Sequence, residues 1–291
     1  MDTQQTEPGA VVIDDLSEVL QHIAPRAYRK TRAKVANSPE TRQFLDLGLE
    51  ILRADLLEHE GPDMEEGEHS RIFGSVSRER LLRRAAESSD PKVRFLTENQ
   101  FRYRWPHKNE YTEDLIAYLF RPEPYNAHLD MMAAAANDMT RQLSLGQLIE
   151  KLAAVELDAV LANVRVSLIT VLQASLPNHP RVREYAARYW YANVLDRWSG
   201  IYEQVCNAYG LHLQPGVTWE DLAVLFNSVI DGVTLRARTE GAVPTTSSNQ
   251  PVLTAAIFAM VPSLLDLDGR DPYEITAIAT HGESLPSSAR R

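Results

Sequence analysis

The sequence predicts an all-α fold, and three observations carry the prediction. Apolar residues recur at spacings of three and four along nearly every patterned stretch, the period of a helix that buries one face. No stretch shows the period of two that a half-buried strand requires. The interruptions are clusters of Pro, Gly, Ser, Thr and Asn, which end helices and open turns. At 291 residues with 44% hydrophobic content, the chain has the length for one large domain or two ordinary ones with buried cores.

Ile13, Leu16, Leu20 and Ile23 predict a short amphipathic helix ended near Pro25, and a basic arm follows it. Ser38-Pro39-Glu40 is a helix start with Pro at the first helical position, and Phe44, Leu47, Ile51 and Leu52 supply the buried stripe of a helix running to about Leu57. Residues 58–70, EHEGPDMEEGEHS, have no apolar period and predict an exposed, mobile loop. Ser77 caps a helix to about Glu87 that turns Leu81, Leu82 and Ala85 inward and Arg78, Arg80, Arg83 and Arg84 outward. Ser88-Ser89-Asp90-Pro91 is a turn or a new helix start.

The next stretch, TENQFRYRWPHKNEYTEDLI from Thr97 to Ile116, holds a short helix stopped at Pro106 and a second one restarted at once on Tyr111, Leu115, Ile116 and Leu119. Beyond Pro122 and Pro124, longer helices are predicted near 125–141, 144–176, 180–209, 218–240 and 251–267. Pro177-Asn-His-Pro180, Gly210 with Gln214-Pro215-Gly216, and the loop from Gly241 to Asn249 separate the last four. Thr218 with Asp221 is an acidic variant of a capping box, and the tail from His281 reads as disordered. The organisation expected is an extension with a short helix and basic arm (1–37), a first helical domain (38–121), a larger one (122–280) and the tail (281–291).

A net charge of −10 argues against nucleic acid as a partner until it is resolved along the chain. Residues 26–42 hold six bases against one acid, and residues 71–108 hold ten against four. Residues 55–69 carry seven acids and no Lys or Arg, and residues 109–291 hold thirteen bases against twenty-one acids. The positive charge is thus concentrated in two segments before residue 110.

Enzymatic readings are thin. Cys206 is the only cysteine, which excludes an internal disulfide, and the eight histidines show no pair at metal-ligand spacing. There is no Gly-rich phosphate loop and no nucleophile elbow. Asp266-Leu-Asp-Gly-Arg-Asp271 starts like a calcium loop, but its twelfth position is Ala277 rather than Glu, so a turn is expected. No cofactor or metal is implied. The start MDTQQTEPGAVVIDD has no leader pattern and no run of about 18 apolar residues follows, so a cytoplasmic protein without membrane contact is expected.

On the short helix from Thr97, Phe101 and Trp105 lie one turn apart and face a core, while Asn99, Arg102 and Tyr103 lie on the opposite side with Glu98, Gln100 and Arg104 at its margins. Amides can read adenine edges, and guanidinium groups can read guanine or hold phosphate. A short basic helix, a turn and then such a helix is the general layout of helix-turn-helix DNA recognition. The plainer reading of the same residues is a solvated basic face on a bundle.

FRYRWPHKNEYTEDLIAYL resembles the tetracycline-repressor (TetR) family of bacterial regulators, whose DNA-reading helix typically ends in an aromatic, a breaker, a small residue and a Lys that opens the next helix. The resemblance covers about residues 40–120. It departs from the family at the usual Tyr position, which is Arg102 with Tyr103 one later, and in a longer, more acidic first loop. It implies an amino-terminal helix-turn-helix domain and a helical ligand-binding and dimerisation domain. Phe101 and Trp105 become core anchors, Thr97 the cap of the reading helix, Glu98, Asn99 and Gln100 groups facing base edges, and Arg104 and Lys108 phosphate contacts, with Arg102 and Tyr103 beside them.

It further implies a homodimer through helices near 218–240 and 251–267, a near-palindromic double-stranded DNA operator, and an unidentified small-molecule effector. Trp190, Trp198 and Tyr202, on the most aromatic helix of the chain, are the expected effector contacts, with core packing as their plainer reading. The function expected is a TetR-like transcriptional regulator. The alternative is a helical protein-interaction or co-regulator module that keeps the fold without sequence-specific DNA binding.

Overall fold

The computed structural model describes residues 14–58 and 72–277, and the protein is mostly helical, as the periodicity predicts. The acidic segment from residue 59, residues 1–13 and the tail from residue 278 lie outside the described residues. In chain order the helices are α1 (Arg29–Ala36), α2 (Pro39–Leu56), α3 (Arg78–Glu87), α4 (Pro91–Arg94), α5 (Glu98–Arg104), α6 (Lys108–Phe120), α7 (Glu123–Thr140), α8 (Leu145–Ala162), α9 (Val164–Ser175), α10 (Pro180–Tyr185), a π-helical turn (Ala186–Tyr191), α11 (Ala192–Ala208), α12 (Trp219–Glu240) and α13 (Val252–Leu264). Two-residue strands β1 (His212–Leu213) and β2 (Leu265–Asp266) pair antiparallel, a feature too short to leave a pattern in the sequence. Among the described residues, no helix is long and apolar enough to cross a membrane.

The chain forms two compact units. The first comprises the residues up to Pro124 together with Val164–Tyr191, and the second comprises Tyr125–Asn163 with the residues from Ala192 onward. This division differs from the contiguous one expected, because the single helix expected at 144–176 is two. α8 ends at Ala162, Asn163 turns extended at φ −85° and ψ 104°, and α9 belongs to the first unit. Arg165 gives the reason. Its Nη1 donates to the carbonyls of Tyr118 at 2.6 Å and Leu119 at 2.9 Å, serving two acceptors that the end of α6 leaves free. The helix expected at 180–209 changes unit in the same way, at the π-helical turn.

In the first unit α2, α3 and α5 touch one another, and α6 and α9 close the other side of α2. Ser38 caps α2 and Ser77 caps α3, each by accepting an N–H from three residues on. Gly48 is needed for the approach of α6, because a Cβ there would lie 2.2 Å from the Tyr111 hydroxyl oxygen. That hydroxyl donates to the carbonyl of Phe44 at 2.7 Å.

Residues 14–24 correct the expectation of an amino-terminal amphipathic helix. Leu16, Leu20 and Ile23 are buried as their spacing suggests, but the backbone runs in turns and bends. Its N–H groups are spent on other elements: Leu16 on the Asn37 side chain (2.8 Å), His22 on Asp114 (3.0 Å) and Ala24 on the carbonyl of Arg104 (2.7 Å). The strap so formed serves a carbonyl at the end of α5, and Ala24 takes a left-handed φ of 43° to reach it. The basic arm expected after it is in fact helical, as α1.

Asp114, only 1% exposed, accepts the His22 N–H on one oxygen and the Trp105 Nε1–H on the other. Burial pushes its carboxyl up to about 6, against the opposing pull of the Trp105 and His22 hydrogen bonds. A carboxyl raised above its unfolded value stabilises the fold fully below the unfolded pKa, and that contribution is lost as pH rises through about 6. The wild type should therefore gain roughly 1 kcal/mol between pH 7 and pH 5 relative to Asp114→Asn. Denaturant melts of both proteins at the two pH values check it; parallel shifts would refute the assignment.

In the second unit α12 packs against α11, α13 and α8. Its start is the expected capping box: Thr218 Oγ1 accepts the Asp221 N–H at 3.1 Å, and Asp221 accepts the Thr218 N–H at 2.8 Å. Gly241, at φ 70°, ends the helix in the left-handed conformation that only glycine adopts without penalty. Val224, Leu225 and Leu235 are exposed on α12, and α13 carries no charged residue although Ala259 and Ser263 face outward.

Candidate functional site

The first candidate site is built on α5. Thr97 Oγ1 accepts the Gln100 N–H at 3.3 Å and the Gln100 side-chain oxygen accepts the Thr97 N–H at 2.8 Å, a reciprocal cap that fixes where a seven-residue helix begins. α4 stands apart from it, so α5 does not extend back to Pro91. Phe101 and Trp105 are buried, as expected, in an aromatic cluster. Phe101 meets Phe44 edge-on at 5.4 Å, and Trp105 meets Tyr111 edge-on at 5.0 Å. The inner side of α5 is thereby held in one orientation, which fixes what its outer side presents.

Asn99, Arg102 and Tyr103 are outward, Tyr103 56% exposed. Glu98 is also exposed, but its carboxylate pairs with Arg102 at 2.7 Å and with Arg78 of α3 at 3.2 Å. These are surface pairs worth ~1 kcal/mol or less, so they give way to a stronger partner. Thr97 and the Gln100 side-chain oxygen are committed to the cap, which leaves the Gln100 side-chain nitrogen as its remaining donor. Lys108 opens α6 and donates one of its three N–H groups to the carbonyl of Gly74 at 2.8 Å, and partial burial draws its pKa down.

Arg104 is the correction. Expected as a phosphate contact, it is 7% exposed and fully engaged inside the unit. Its Nε donates to Thr41 Oγ1 at 2.9 Å, Nη1 to the carbonyl of Gln100 at 2.9 Å, and Nη2 to Ser38 Oγ at 2.9 Å and Glu40 at 3.0 Å. Burial lowers its pKa, with Glu40 opposing. The signal was present in the sequence: residues 101, 104 and 105 share one face of a helix. The pairing of Asp114 with His22 and that of Ala24 with Arg104 left no sequence signal, since both join residues far apart along the chain.

The second candidate site is an apolar cavity of about 80 Å³ in the second unit, lined from α8, α11, α12 and α13. Trp198 and Tyr202 both line it, stacked at 5.3 Å, and Phe226 meets Tyr202 edge-on at 5.3 Å. Trp190, grouped with them in the sequence, does not: it is buried in the π-helical turn of the first unit, because the helix expected at 180–209 is divided there. Cys206 lines the wall, and burial pushes its thiol up to about 12, so it is inert there.

One acidic residue, Glu156, 3% exposed, is among the lining residues, with its carboxylate turned to partners behind the wall. Tyr125 donates its hydroxyl to one carboxylate oxygen at 2.6 Å, and His128 Nε2 lies 2.6 Å from the other. The burial of the Tyr202 hydroxyl, reinforced by Glu156, raises its pKa far above the ordinary phenol value. The chain matches no protein-family model, no curated protein and no solved structure.

Proposed function

We propose that the protein is a DNA-binding transcriptional regulator of the helix-turn-helix type that acts as a homodimer and responds to a small molecule. The observation that carries the reading is the two-sidedness of α5. Its inner face is locked by Phe101, Trp105 and Arg104, while Asn99, Arg102 and Tyr103 stand clear on the other. A short, rigid helix with an amide, a guanidinium and a phenol outward is chemically suited to base edges in a major groove, with Arg78 and Lys108 close to it for phosphates. The resemblance of this stretch to the TetR family supports the same reading.

The exposed Val224, Leu225 and Leu235 of α12 and the uncharged α13 support a two-fold pairing of copies through these helices. Such a dimer would present its two α5 helices about one DNA turn, roughly 34 Å, apart or a multiple of it, to a near-palindromic site. The cavity beside Trp198 and Tyr202 supplies a place for an effector, which would act by favouring the conformation of the dimer that does not fit DNA.

Charge reversal tests the reading. Arg102→Glu with Lys108→Glu touches exposed groups only and should leave helicity unchanged, yet abolish retardation of genomic duplex fragments in a gel. Undiminished retardation in the double variant would refute the role of α5. If the wild type binds no duplex while remaining a folded dimer, the partner-binding alternative takes its place.

A further inference from the structure

We infer that the cavity of the second unit takes a compact, uncharged, hydrocarbon-like molecule, on the scale of one small ring or a short branched chain, and rejects polar molecules of the same shape. This rests on the effector part of the reading above, whose ligand class it names, and is independent of the DNA part.

Polarity decides the class. The surface facing the cavity is almost wholly apolar. Glu156 brings no charge to it, because one carboxylate oxygen accepts the Tyr125 hydroxyl at 2.6 Å and the other lies 2.6 Å from His128 Nε2, both behind the wall. Cys206 stays a neutral thiol, since burial pushes it up to about 12. A polar ligand would give up its water partners and find none in exchange, whereas a hydrocarbon gains by leaving water. A water molecule meets the same deficit, since it needs roughly two to four polar partners.

Shape and size narrow the class further. Stacked Trp198 and Tyr202 of α11, with Phe226 of α12 edge-on to Tyr202, supply ring surfaces. Leu, Ile and Val side chains of α8, α12 and α13 supply branched aliphatic ones. The volume of about 80 Å³ is about half the roughly 150 Å³ of an engineered Leu/Ile/Phe-lined cavity that takes benzene or xenon, so one small ring is the upper limit. Interiors pack almost without voids, and a void forfeits contacts along its whole lining. Ala153 and Val205 line this one, two places where a larger apolar residue would fill it.

Position gives such a ligand leverage. Leu222, Phe226 and Ile230, spaced by one helical turn, turn the inner face of α12 to the cavity, and Val224, Leu225 and Leu235 are exposed on the same helix. Ile257 and Val261 bring α13 to the same space. A molecule in the cavity thus touches both helices assigned to the dimer contact and can favour one arrangement of them over another.

The test is titration of the full-length protein at neutral pH, followed by methyl NMR, with benzene and, as its polar counterpart of nearly equal shape, pyridine. Benzene is expected to bind about tenfold more tightly or better, the scale set by one polar atom left unpaired, and to shift the methyl signals of Val205, Ile230 and Val261. Ala153→Leu should abolish benzene binding, and the milder Val205→Ile should weaken it. Pyridine binding as tightly as benzene overturns the ligand class but leaves an effector cavity standing, and this comparison needs no variant to fold. Benzene binding at full strength in both variants places the ligand elsewhere and overturns the inference. If neither compound binds at millimolar concentration, the inference and the effector reading fall together, while duplex binding by α5 is unaffected.

Discussion

Trp105→Ala is expected to be the most damaging single substitution in the first unit, costing about 3–5 kcal/mol, the range for removing a large buried aromatic. Trp105 is fully buried among Phe44, Phe101 and Tyr111, with ring centroids 6.3, 5.5 and 5.0 Å away. Its Nε1–H is also one of the donors that make a buried Asp114 tolerable, at 2.9 Å. Truncation therefore opens a cavity and strips a buried carboxyl of a partner together. Trp105→Phe refills most of the space and loses the hydrogen bond, so it should cost less, about 1–3 kcal/mol. Denaturation midpoints of the three proteins check the order; a loss below about 1 kcal/mol for the alanine variant would contradict the packing described.

Arg104→Ala comes next, and it separates two explanations of one phenotype. Four groups lose a donor at once: Thr41, Ser38, Glu40 and the carbonyl of Gln100. Glu40 is 38% exposed, so its share is screened and the total is set at roughly 2–3 kcal/mol by the charged hydrogen bonds to the buried partners. Arg104→Lys should recover little, since one ammonium cannot span the planar fork. Arg102→Ala, by contrast, removes an exposed pair with Glu98 and should cost under about 1 kcal/mol. Any loss of duplex binding in Arg104→Ala should thus follow its loss of thermal stability. The same loss in Arg102→Ala should occur in a protein that melts like the wild type. Thermal melts beside binding isotherms distinguish the two, and a stable Arg104→Ala would return that residue to the surface.

The helices were legible where local chemistry decides them. Ser38-Pro39, Ser77, Thr97 and Thr218 each carry a cap that acts over three residues, and all four helices start there. Residues 14–24 show the limit: the 3–4 spacing of Leu16, Leu20 and Ile23 reported burial correctly, but long-range partners at Asn37, Arg104 and Asp114 took the N–H groups a helix would have used. Asn163 shows another, since a helix period continued across it in the sequence while Arg165 was drawn to the end of α6. At the candidate sites, exposure of Asn99 and Tyr103 and burial of Phe101 and Trp105 followed from the helical wheel. Glu156 did not stand out, because a lone Glu on an amphipathic helix is ordinarily solvated, and its burial against Tyr125 and His128 depends on partners 31 and 28 residues away.

Recognition of double-stranded DNA by α5, as proposed, is put to the test by selecting bound fragments from a random duplex pool with the purified protein. The expected result is enrichment of a near-palindromic site whose affinity falls steeply with salt, the logarithmic slope shrinking by about 0.9 when Lys108 or Arg102 is replaced by Ala. A folded protein that enriches no sequence, or one whose salt slope is indifferent to both residues, would contradict it.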